Sequence, residues 1–148
     1  MDWQEFAEQL AEDLSLLSAG TLLVIEERPE DGRYAQFVQE DDKLLAYVAD
    51  NRYMTPADKV TPEGERVIEE AGWHRAEPGR AHDDWWQELP WPASGTAYRH
   101  LTEAIVVALR DGYGIASPEG WRYRAWNERE ANAPVTLARL SLPQVPAR

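Results

Sequence analysis

The sequence predicts an α+β domain: an antiparallel sheet of about five strands, backed on one face by two long helices, with a short third helix between them. Two observations carry this. Apolar residues recur at three- and four-residue steps near the start of the chain and again over residues 95–111, the period of a helix buried on one side. Between residues 21 and 49, three short apolar or alternating runs are separated by brief polar turns. Turns that short join antiparallel strands, because parallel neighbours need a crossover of a dozen residues or more.

The first helix is predicted over about residues 2–18. Trp3, Phe6, Ala7, Leu10, Ala11, Leu14 and Leu17 form its apolar stripe, Glu5, Glu8, Glu12 and Asp13 face away, and Gly20 stops it. Thr21 to Glu26 is an apolar, β-branched strand. Pro29-Glu30-Asp31-Gly32 is turn chemistry, with proline presetting φ and glycine accepting a positive one. Arg33 to Gln39 and Leu44 to Ala49 complete a meander. Thr61 and Pro62 suit the N-cap and first position of a short helix, which presents Val67, Ile68 and Ala71 and ends at Gly72. Prolines 78, 90 and 92 confine the next stretch to loops around a short strand near residues 85–89. Ala97, Tyr98, Leu101, Ala104, Ile105, Ala108 and Leu109 mark the second long helix, closed by Gly112. Trp121 to Trp126 alternates aromatic and basic as a half-buried strand, and the tail from about residue 133 to 148 is extended.

The 148 residues fit one domain, with 43% of them hydrophobic. No apolar run approaches the ~20 residues of a membrane span. The acidic, amphipathic start does not read as a secretory leader, so a cytoplasmic location is expected. The absence of cysteine removes disulfides, thiolate nucleophiles and cysteine-based metal sites. A formal charge of −12 and the lack of a basic patch argue against nucleic acid. Such charge serves solubility and also favours basic partners. Thirteen arginines against two lysines suggest a GC-rich bacterial genome.

Reactive constellations are missing. No serine lies in a nucleophile elbow, and Gly112-Tyr113-Gly114 follows a helix where a phosphate loop would open one. Paired carboxylates are expected from composition alone with 27 acidic residues. His82-Asp83-Asp84 is the one short cluster worth weighing for a divalent ion or an enzyme, and its spacing matches no site with a known mechanism. No enzyme activity, cofactor or metal is expected. The seven tryptophans are the unusual feature. Packing explains Trp3, Trp73 and Trp121. Adjacent Trp85 and Trp86 on a strand must point to opposite faces, so one of them needs a cover from elsewhere.

Tyr34-Ala35-Gln36-Phe37, Leu45 to Asn51, Ala71-Gly72-Trp73, Pro78, Trp85, Leu109-Arg110, Ser117-Pro118 and Tyr123-Arg124-Ala125-Trp126 resemble, in type and order, the YbjN and type III secretion chaperone-like superfamily. The chain is most similar to its actinobacterial peptide-binding branch, the TY-Chap domains, over about residues 3–126, and residues 1–148 read as a single domain of that kind. The resemblance implies a non-enzymatic module that holds a peptide or protein partner and is able to form a homodimer, with no nucleic acid and no membrane involved. Holding would use burial of apolar side chains or addition of a strand to a sheet edge. Aromatic density beside a strand makes Tyr34, Phe37, Trp73, Trp85 and Trp86 the expected contacts. The alternative is an immunity or inhibitor protein that neutralises a basic toxin through charge complementarity.

Overall fold

The computed structural model describes every residue except Pro78 and Arg148, and Tyr53 by its backbone alone. Pro78, one of the breakers named above, therefore lies outside the described residues.

Helix α1 spans Trp3–Leu14, with the Asp2 side chain accepting from the Glu5 N–H at 2.8 Å, the capping that satisfies an orphan donor. It ends four residues earlier than its stripe predicts. The Leu16 and Leu17 amides donate to Asp13 and Leu14 in a tightening turn, which buries Leu17 and leaves Leu16 74% exposed. The apolar period is thus completed by a turn instead of by helix. Strands β1 (Thr21–Glu26), β2 (Tyr34–Gln39) and β3 (Lys43–Val48) form the expected antiparallel meander. Helix α2 spans Pro62–Glu70, and the Thr61 hydroxyl caps Gly64. Strand β4 (Trp85–Pro90) pairs with β3.

Helix α3 spans Gly95–Val106 and continues into a wider π turn over Val107–Gly112. The end of that turn is pressed against α2. A Cβ on Gly64 would stand 2.3 Å from the Gly112 carbonyl oxygen, and one on Gly112 would stand 2.6 Å from Ile68 Cγ1. Gly112 is therefore required by close helix approach. Strand β5 (Arg122–Asn127) pairs with β1, and a two-residue strand β6 (Ala133–Pro134) pairs with β5. The sheet order is β4-β3-β2-β1-β5-β6, antiparallel throughout. The sixth strand, beyond the five expected, comes from the tail.

Alternation along the strands divides the sheet into two faces. Leu23, Ile25, Ala35, Phe37, Leu44, Ala46, Val48, Trp85, Tyr123 and Ala125 share one buried cluster with Phe6, Leu10 and Leu14 of α1 and with Leu101, Ile105 and Leu109 on α3 and its π turn. Both long helices thus lie on one face, as predicted. Trp73, just beyond α2, joins the same cluster and donates its indole N–H to the Ala104 carbonyl at 3.0 Å.

Candidate functional site

The second face of the sheet is turned away from α1 and α3. The strand register sets its side chains in rows. One row runs Trp126, Leu22, Val38, Leu45; the next runs Arg124, Val24, Gln36, Tyr47, Trp86; the third runs Arg122, Glu26, Tyr34. Leu22, Val24, Tyr34, Gln36, Val38, Tyr47, Trp86 and Trp126 are all part-exposed. A soluble domain ordinarily covers such a surface or uses it.

At the β4 end, the chain covers the face itself. The loop before β4 lays His82 on Trp86, with ring centroids 4.0 Å apart and planes at 22°, and His74 packs against the same indole at 4.4 Å. The Tyr47 hydroxyl lies 3.1 Å from His82 Nδ1. Asp84 accepts from the Tyr34 hydroxyl at 2.7 Å and from the Asp50 amide at 3.0 Å. The His82-Asp83-Asp84 cluster is thus engaged in holding this loop down. Among the described residues, no group of three His, Asp or Glu is placed to hold a metal ion. Burial, the largest effect on it, pushes the Asp84 carboxyl above its ordinary value against the lowering effect of those two donors. A raised folded-state value means that protonation stabilises the fold, and that this contribution fades as pH rises through that value. Asp84→Asn is therefore expected to match or exceed the wild type in melting temperature at neutral pH. The difference should shrink as pH falls towards the ordinary carboxylate value, a trend that thermal melts across pH will show.

At the β5 end, the face opens into a cleft of about 490 Å³, floored by Val24, Gln36 and Trp126 and overhung by the loop after β1, with Arg28, Pro29 and Glu30 above it. Its inner wall is a buried ion pair, Arg124 Nε to Glu26 Oε1 at 2.6 Å, with both residues more than 90% buried. The cations around the face are engaged within the chain. Arg28 pairs with Glu27 and Asp58, Arg33 with Glu27, Arg52 with Asp50, Lys43 with Glu88, and Arg122 with Glu26 at 3.8 Å. Glu30 and Asp31 stand exposed on the overhanging loop and make no ion pair among the described residues. The rim of the cleft is therefore net negative.

The five expected contact residues do not form one patch. Phe37, Trp73 and Trp85 lie in the core cluster, at most 2% exposed. Tyr34 and Trp86 lie on the open face; Tyr34 lines the cleft, and Trp86 is sandwiched by its own chain. Tyr34 and Phe37, three apart on one strand, point to opposite sides by alternation alone. Sequence reasoning missed Trp126, Val24 and the Arg28–Gly32 loop. A signal for the first was available: Trp126 shares its parity with Arg122 and Arg124, opposite to Trp121 and Tyr123, which marks it as the outward aromatic of β5.

Both edges of the sheet are partly occupied by the chain itself. On β4, the Trp86 N–H and C=O are both taken by His74 at 3.1 and 2.9 Å, and Pro90 removes a further donor. On β5, the Tyr123 N–H donates to the Pro143 carbonyl and the Tyr123 carbonyl accepts from the Val145 N–H, at 2.9 and 2.8 Å.

No helix among the described residues is long and apolar enough to cross a membrane. No curated protein and no solved structure matches the chain. A family model does, over residues 1–127, from α1 to the last residue of β5, and it is described as T3SS (YopN, CesT) and YbjN peptide-binding chaperone 3. The chain belongs to this peptide-binding chaperone family, TY-Chap3.

Proposed function

We propose that this domain holds an extended apolar segment of a partner protein in the cleft between β1, β2 and β5, and does no chemistry on it. The observation that carries the reading is the cleft on this part-exposed aromatic and aliphatic face, lined among the described residues by Trp126, Val24 and Tyr34. Burial against this face is the mode of contact the cleft supports, with Trp126 and Tyr34 as its aromatics. Anchors of that kind dominate interface energetics. The negative rim favours segments in which the apolar anchor is flanked by lysine or arginine.

An array of short peptides, probed with the wild type and with Trp126→Ala/Val24→Ser, tests this. The wild type should bind a subset rich in apolar residues with basic neighbours, and the variant should lose at least about 30-fold in affinity for them, the scale of a hot-spot loss of ~2 kcal/mol. Near-ultraviolet circular dichroism checks that the variant stays folded. If the folded variant binds the same peptides equally well, the cleft is not the site.

The same negative rim supports a second reading, an immunity protein that neutralises a basic toxin. A neighbouring gene for a basic toxin, whose toxicity is suppressed by co-expression of this chain, would establish it. Failure to suppress would remove it.

A further inference from the structure

The family match ends at residue 127, where β5 ends, yet the outer edge of β5 is occupied. All the backbone that pairs with it comes from the tail. The Val135 N–H donates to the Ala125 carbonyl at 3.0 Å, and the chain then leaves the sheet. Leu137 and Leu140 drop into the core. Their segment is held by side chains: the Leu137 N–H donates to the Tyr123 hydroxyl at 3.0 Å, and the Asp13 carboxylate of α1 accepts from the Arg139 and Leu140 N–H groups at 3.1 and 2.7 Å. Gln9 of α1 accepts from the Ser141 N–H at 2.9 Å. The chain returns parallel to β5, bridging Tyr123 and Gln144, and the Pro146 carbonyl accepts from Arg124 at 2.6 Å.

This is how an added strand is recognised: backbone bonds along an edge, with pockets for selected side chains. The seating is partial. Of residues 135–147, only Leu137 and Leu140 are buried, and the rest are part or fully exposed. A cleft of about 400 Å³ remains between Leu142, Pro143 and Val145 on one side and Pro118, Gly120 and Trp121 on the other. Arg122 lines that cleft, and its buried Nε has no hydrogen-bond acceptor among the described residues. The occupant thus leaves space and an unmet donor at the edge it covers.

We infer that the outer edge of β5 is a strand-accepting peptide site filled in cis by residues 135–146. Its ligand class is a segment whose last residues run parallel to β5 after two inserted leucines three residues apart, with a proline three residues after the second, the Leu-x-x-Leu-x-x-Pro-x-Val pattern of Leu137 to Val145. The site is separate from the cleft on the open face, and failure of either leaves the other standing.

A fluorescent peptide copying residues 135–148, titrated against the full-length wild type and full-length Leu137→Asp/Leu140→Asp, tests the inference by anisotropy. Two buried carboxylates beside Asp13 should expel the tail, and the variant should then bind the peptide. The wild type should bind it at least about ten-fold more weakly, because a tethered occupant competes at an effective concentration in the millimolar range. A peptide with both leucines changed to aspartate should bind neither protein. A folded variant that does not bind, equal binding to both proteins, or a variant that loses its near-ultraviolet circular dichroism would each overturn the site; the last would make the tail part of the core. Hydrogen exchange on the unaltered protein gives a second check. The Val145 and Tyr123 amides should exchange at least about 100-fold faster than those of Leu23 and Phe37, as expected of a separately opening segment. Equal protection would also overturn the inference.

Discussion

Trp73→Ala is expected to cost about 3–5 kcal/mol of folding stability, the range for emptying an aromatic site in a packed core. Trp73 is 1% exposed and sits in the cluster shared by both long helices and the sheet. Its indole bridges two elements, since it follows α2 and donates to a carbonyl of α3 at 3.0 Å. The Ala104 carbonyl keeps a partner without it, the N–H of Val107 at the end of α3, so the loss is mainly one of packing. Trp73→Phe should therefore be milder, with much of the aromatic volume retained. Urea unfolding of both variants measures this. A Trp73→Ala protein close to wild type in stability would place the side chain outside the core and return it to the partner-contact role that its aromatic character first suggested.

The second large effect is expected at Glu26. Removing one partner of a buried ion pair leaves the other charge without compensation and typically costs 3–5 kcal/mol. Glu26 and Arg124 are 4% and 7% exposed and meet at 2.6 Å, so solvent screening offers little relief. Glu26→Ala should fall in that range, about 3–5 kcal/mol. The double variant Glu26→Leu/Arg124→Leu should recover most of the loss, because apolar residues of similar size replace buried pairs at little net cost. Part of the loss should remain, since Arg124 also donates to the Pro146 carbonyl at 2.6 Å. A double-mutant cycle by chemical denaturation separates the pair from its surroundings. Additive losses would mean that the two groups do not act together.

Much of this architecture was legible in the chain. The stripes of α1 and α3, the three strands of the meander and the Thr61-Pro62 start of α2 were read from local patterns, because capping, turn chemistry and periodicity are short-range properties. Boundaries moved where a turn did the work expected of helix, as after Leu14, or where the last helical turn widened, as after Val106. The candidate site was less legible. Of the five aromatic contacts expected, Phe37, Trp73 and Trp85 are core, and Trp86 is covered by His74 and His82 from its own chain. Tyr34, the fifth, lines the cleft, which also joins Trp126 on β5 with Val24 on β1, about a hundred residues apart in sequence.

By itself, the sequence determined the main helices and strands, the antiparallel meander of the first three strands, the family resemblance, and which residues of each strand share a side. Alternation reaches that far because a side chain's direction depends on its own backbone. Only the tertiary structure decided which side the helices cover, which of two adjacent tryptophans is core, that Arg124 meets Glu26 across two strands, and that the tail closes the edge of β5. Each of these depends on a surface brought from elsewhere in the chain. Coverage is therefore a non-local property, and an aromatic residue has the same local signature whether a helix, a loop or a partner's peptide lies over it.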